Sequence, residues 1–198
     1  MPPPSTRSST GTSVAAGADV TTQPGFGDQV LSSLFARRIV FVHGDLTSDK
    51  ASETAAALLT LDALGDEHVE LRLQAPMASW EAAGVLIDVI DVLGVPVHTV
   101  ALGIVGGGAV GVLAAGSNRS IAPHARLHLR HPDTTASGRP SDITRTIDAQ
   151  SALQAEFQRL LAERTGRPEI EIEEEWGRGG YLDAPSAIAL GYADSLSV

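Results

Sequence analysis

The stretch that most constrains the fold is Thr99-Val-Ala-Leu-Gly-Ile-Val-Gly-Gly-Gly-Ala-Val-Gly-Val-Leu-Ala-Ala-Gly116. The apolar run 97–105 reads as one buried strand, because β-branched residues dominate it and a helix has no room there. Gly106, Gly107 and Gly108 follow, then a small, apolar segment over 109–115 that reads as a short buried helix. A strand that turns through glycines into a helix leaves backbone N–H groups at the turn, where many enzymes hold a nucleophile or bind an oxyanion. This turn offers donors and no nucleophile.

What surrounds the turn bounds the class of protein. The chain has 198 residues, 43% of them hydrophobic, enough for one compact domain and a tail. Aromatics make up only 4%, so the core must be built mostly of Ala, Val, Leu and Ile. A net charge of −10 argues against nucleic acid or an anionic membrane surface as partner. With no cysteine, disulfides, thiolate metal sites and a thiol nucleophile are excluded together. No apolar run approaches the roughly 18 residues of a spanning helix. A basic-then-apolar leader is not evident, so a cytoplasmic protein is expected.

Residues 1–27 are rich in Pro, Ser, Thr, Gly and Ala, and burial there cannot offset the entropy of ordering; they read as a disordered tail. The folded domain is expected over 28–198. It opens with a short amphipathic turn over 30–35 and a first strand over 38–43. Thr47 or Ser48 caps a helix that runs to Leu64, with Gly65 at its end. The alternation over 69–73 gives a second strand, and Ser79 caps a helix that Gly94 stops. Strand, helix, strand, helix, strand, helix argues for a mainly parallel sheet with helices packed on it. After Gly116 a strand is expected over 126–130, a polar loop or irregular hairpin over 131–141, and a long helix from about Asp142 to Arg164. A short helix over 168–175 carries Glu169, Glu171, Glu173, Glu174 and Glu175, read as a solvated face. Asp183 caps a last helix with Pro185 in its first turn, and 192–198 closes the chain as a strand.

The order of these motifs resembles one family, the ClpP proteolytic subunits of the Clp protease, from about Val30 to Leu196. The family's Glu-Arg-Ile-Ile-Phe-Leu start is similar to Arg37-Arg-Ile-Val-Phe-Val42, and its Ser-Pro-Gly-Gly-Ser loop to Ala75-Pro-Met-Ala-Ser79. Its Gly-Gln-Ala-Ala-Ser-Met-Gly turn falls on Gly103-Ile-Val-Gly-Gly-Gly-Ala109, followed by the shared Leu-Ala-Ala-Gly ending at Gly116. Met-Ile-His-Gln-Pro falls on His128-Leu-Arg-His-Pro132, and Glu-His-Thr-Gly on Glu163-Arg-Thr-Gly166. The closing motifs resemble Tyr181-Leu-Asp-Ala-Pro-Ser-Ala187 and Leu190-Gly-Tyr-Ala-Asp194. The resemblance implies an α/β fold, the ClpP/crotonase-like spiral of repeated strand-strand-helix units, with a projecting handle over about 131–165.

The same register removes the chemistry that the resemblance implies. Acyl transfer by a serine peptidase needs a hydroxyl, a histidine to take its proton and an acid to orient that histidine. The matching positions hold Gly107, Arg130 and Gly179. The backbone of the family's oxyanion hole falls on Ala78 and Gly108. The glycines either preserve an anion pocket there or simply let the helix pack close. Between Ser79 and Ser117 the only hydroxyl is Thr99, at the start of the strand. Aromatics that receive the partner ATPase in the family are replaced by Glu70, Arg72 and Val92, which puts direct docking in question. His43, His68, His98, His124, His128 and His131 show no metal spacing, and no cofactor is called for. The expected function is a catalytically inactive, ClpR-like subunit that joins other ClpP-type subunits in a homo- or hetero-oligomeric ring. The alternatives are an active serine endopeptidase subunit with a non-standard site, or a crotonase-type acyl-CoA-binding enzyme.

Overall fold

The computed structural model describes residues 26–132 and 138–197. The expected tail over 1–25, the loop residues 133–137 and Val198 lie outside the described residues. The first helix, α1 (Phe26–Phe35), begins two residues inside the expected tail and is longer than the single turn read from the sequence.

The next elements follow from local signals. Strand β1 (Ile39–His43) leads to helix α2 (Ser48–Leu64), capped by Thr47, whose hydroxyl accepts from the Lys50 N–H. Strand β2 (Val69–Gln74) alternates: Val69, Leu71 and Leu73 are buried, and Glu70, Arg72 and Gln74 face the other side. Helix α3 (Trp80–Val92) is capped by Ser79, which accepts from the Ala82 N–H at 3.1 Å. The first strand starts one residue later than expected, because Arg38 adopts a left-handed φ of 59°. Its guanidinium donates to the carbonyls of Leu61, Gly65, Glu67 and His68. That fork satisfies carbonyls at the end of α2, where Gly65 is extended rather than left-handed.

The apolar run 97–105 is two strands, not one. Strand β3 (Val97–Ala101) ends before Leu102, Gly103 turns at φ +57°, and strand β4 (Ile104–Gly106) enters a different sheet. Hydropathy runs on unbroken because both strands are largely buried; only the left-handed glycine marks the change. Helix α4 (Ala109–Ala115) follows, buried along its whole length.

The second half departs further from the sequence reading. Strand β5 (Asn118–Ile121) was not foreseen, because its residues are polar. It becomes a strand by pairing with β3, and the Arg119 guanidinium beside it closes on Asp194. Strand β6 (Arg126–Leu129) stops one residue short of Arg130. Helix α5 (Pro140–Thr165) has 26 residues, so it is roughly 39 Å long at the usual rise per residue. Its last third is anchored through Phe157 and Leu161, while its first turns are exposed, with Ile147 half open to solvent. Helix α6 (Glu169–Arg178) leads into strand β7 (Gly180–Asp183), where the sequence suggested only a cap. Helix α7 (Ala184–Ala189) is capped by Asp183, as expected. The closing strand β8 shrinks to Ser195–Leu196, because Tyr192 and Ala193 go into the core instead.

Five parallel strands form one sheet in the order β1-β2-β3-β5-β8. A smaller sheet has the order β4-β6-β7, with β4 parallel and β7 antiparallel to β6. Small aliphatic residues make most of the core, as composition required. Three large aromatics, Trp80, Phe157 and Trp176, cluster with ring centroids 4.2, 5.3 and 5.8 Å apart and lock α3, α5 and α6 together.

A tight joint lies at Gly111 on α4, where an added Cβ would lie 2.2 Å from the Phe157 ring. Gly111→Ala gains about 1 kcal/mol in helix propensity and loses more to overpacking. The expected net destabilisation is about 1–3 kcal/mol by chemical denaturation, with partial recovery in the double variant Gly111→Ala, Phe157→Leu.

Candidate functional site

The glycine turn joins β4 to α4 and lies against the loop 75–79, which joins β2 to α3. The contact is backbone on backbone. A Cβ on Gly106 would meet the Pro76 carbonyl oxygen at 2.2 Å, and one on Gly108 would meet the Ser79 carbonyl oxygen at 2.6 Å. Gly107 itself is left-handed, at φ +57°. Three hydrogen bonds fix the turn. The N–H groups of Gly106, Gly107 and Gly108 donate to the carbonyls of Ala75, His128 and Ala78 at 2.8, 3.2 and 3.0 Å. Ala78 and Gly108 are thus brought together, bonded to each other.

The other two positions that the family resemblance singled out converge on the same place. Gly107 bonds to His128 on β6, and Arg130 lies just beyond the end of that strand. Gly179 ends α6, and a Cβ added there would lie 3.2 Å from the Leu129 carbonyl oxygen. Its backbone, at φ 65° and ψ −169°, is in a region open essentially to glycine alone. Gly107, Arg130 and Gly179 therefore surround the end of β6, with a permanently charged guanidinium as the only functional group among the three. Thr99 is fully buried, and its hydroxyl donates to the Leu113 carbonyl at 2.7 Å.

Two histidines flank the site. His128 stacks on Tyr181 at 4.1 Å, and burial together with the nearby Arg130 charge holds its pKa below the usual value. His131 packs its ring against Trp80 and Trp176, with its Nδ1 buried and without a hydrogen-bond partner among the described residues. Burial pushes its pKa down. Among the described residues no group of three or more His, Cys, Asp or Glu is arranged to hold a metal ion. No helix there is long and apolar enough to cross a membrane.

The positions matched to ATPase-docking aromatics are polar or open. Glu70 and Arg72 form an ion pair with each other on β2, and Val92 is 74% exposed at the end of α3.

One group near the site went unrecognised in the sequence. Glu175 is not part of a solvated face: it is buried, and its carboxylate accepts from Arg167 at 2.7 Å and from the Tyr192 hydroxyl at 3.0 Å. Trp176 donates in turn to the Tyr192 oxygen at 3.2 Å. The available signal was spacing, since Glu175 and Trp176 follow buried Ile172 by one helical turn.

A sequence model of the Clp protease family matches residues 25–198. The chain is 30% identical over 171 residues to ATP-dependent Clp protease proteolytic subunit 1 of Prochlorococcus marinus (strain NATL2A), covering 84% of this chain and 87% of that protein. It is 29% identical to proteolytic subunit 2 of Parasynechococcus marenigrum (strain WH8102), covering 84% and 86%. It is 30% identical to proteolytic subunit 1 of Frankia casuarinae, covering 86% and 82%. The chain belongs to the Clp protease family of ClpP-type proteolytic subunits.

His131 generates a pH dependence of defined sign. A histidine whose folded pKa lies below its unfolded value leaves the unfolded chain with more bound protons. Stability is therefore undiminished above the ordinary value of 6.5 and falls as pH drops below it, levelling off once the folded form protonates too. His98 and His128 are shifted the same way. His131→Phe is expected to raise Tm more at about pH 5.5 than at about pH 8, read by calorimetry; an equal effect at both would assign the gain to packing alone.

Proposed function

We propose that this chain is a non-catalytic ClpP-type subunit that takes a structural or regulatory place in a ring with other ClpP-type subunits, in the cytoplasm. The observation that carries the proposal is the convergence of Gly107, Arg130 and Gly179 around one strand end. At those positions acyl transfer would need a hydroxyl, a base and an orienting acid. A glycine has no nucleophile, and a guanidinium cannot take a proton at neutral pH.

Retention of the surrounding architecture argues for a role in assembly. Helix α5 extends well past its anchoring residues, and Ile147 on it is exposed among the described residues. An apolar residue on a projecting helix is suited to burial against a second subunit. At the two strand positions where the family carries docking aromatics, Glu70 and Arg72 pair with each other instead. Contact with a Clp ATPase is therefore assigned to the other subunits of a mixed ring.

The alternatives find less support. For an active peptidase, Thr99 would have to leave a fully buried hydrogen bond to reach a substrate. For a crotonase-type acyl-CoA enzyme, the Gly108 N–H is already committed to Ala78.

The purified full chain is expected to leave unstructured peptides uncleaved. Turnover that disappears in Thr99→Ala would overturn the proposal. Ile147→Asp is expected to shift sedimentation toward smaller assemblies while leaving Tm within about 1 °C, since surface changes of this kind alter stability little.

A further inference from the structure

We infer that the loop 75–79, and not only the missing side chains, keeps the glycine turn chemically inert: the Ala78 carbonyl occupies the position from which an oxyanion would have to be bound. The inference rests on the reading of the turn as a vacated acyl-transfer site.

An oxyanion hole works by aiming N–H donors at the point where negative charge develops. The donor that follows the nucleophile position here is the Gly108 N–H, and it points at the Ala78 carbonyl oxygen 3.0 Å away. An acceptor thus stands where an acyl oxygen would need to be received. The same oxygen blocks the nucleophile from the other side. A Cβ added to Gly107 would lie 2.9 Å from it and 3.2 Å from Met77 Sδ.

The loop is held in this arrangement from both flanks. The Leu46 N–H donates to the Met77 carbonyl at 2.8 Å, and the Gly106 N–H donates to the Ala75 carbonyl at 2.8 Å. Met77 and Ala78 both carry a Cβ, and neither is left-handed; among the described non-glycine residues only Arg38 has a positive φ. Reorienting the loop peptides through left-handed conformations would bring each Cβ against the following carbonyl oxygen at both residues. Glycines at these positions would remove that clash.

The test compares two variants of the full chain. One carries Gly107→Ser and Arg130→His; the other adds Met77→Gly and Ala78→Gly. Gly179 is left alone, because its backbone does not admit an aspartate without strain, and a nucleophile–base pair retains measurable reactivity without its acid. The readout is the rate of covalent labelling by a fluorophosphonate, followed by intact mass. The first variant is expected to stay unlabelled. The second is expected to label at a rate at least about 10²-fold above the detection limit that bounds the first, the usual worth of one oxyanion donor. Equal rates in the two variants would overturn the inference, as would an unlabelled second variant that still melts cooperatively.

Labelling of the unaltered chain would instead refute the vacated-site reading beneath it. Should the second variant fail to fold, hydrogen exchange of the Gly108 amide in the unaltered chain decides. Slow exchange is expected of a committed donor, and exchange at the rate of an open loop amide would contradict it.

Discussion

A methyl group at Gly106 would lie 2.2 Å from the Pro76 carbonyl oxygen, and much of the molecule is arranged around that approach. The loop 75–79 ends β2 in the five-stranded sheet, and the turn ends β4 in the three-stranded sheet. Pressing one backbone on the other joins the two sheets along a seam. Glycine is what permits the distance, and N–H to carbonyl bonds make it favourable instead of merely tolerated. A seam that satisfies its own donors has fewer left to offer a ligand.

The handle is tied to this seam by a separate device. Phe157 on α5 reaches Gly111 on α4, while Trp80 and Trp176 pack around Phe157. Behind Trp176, the Arg167–Glu175 ion pair and the Tyr192 hydroxyl fasten α6 to the closing segment. Burying a carboxylate is costly unless it is paired and hydrogen-bonded, and Glu175 is both. In a chain with so few aromatics, their concentration at the base of α5 fixes where the projecting helix begins.

Local signals were legible in the sequence, and non-local ones were not. Ser79 and Asp183 each cap the helix that their position announces, and of Thr47 and Ser48 it is Thr47 that caps α2, because capping needs only the next three residues. Strand β5 was invisible: Asn118, Arg119 and Ser120 owe their strand conformation to β3 and β8 and to Asp194, far along the chain. The division of 97–105 hinged on one left-handed glycine inside an unbroken apolar run. At the site, the motif register located Gly107, Arg130 and Gly179, and the structure brings them together. The direction of the Ala78 carbonyl was beyond reach, since no side chain encodes which way a loop peptide faces.

As proposed, the chain enters a ring and brings no active site with it. Mixed rings formed with an active ClpP-type subunit, treated with a fluorophosphonate and weighed intact by native mass spectrometry, test both halves at once. One adduct is expected for each active subunit and none for each copy of this chain, whatever the mixing ratio. Adducts that rise with the number of copies of this chain, or its failure to enter any ring, would contradict it.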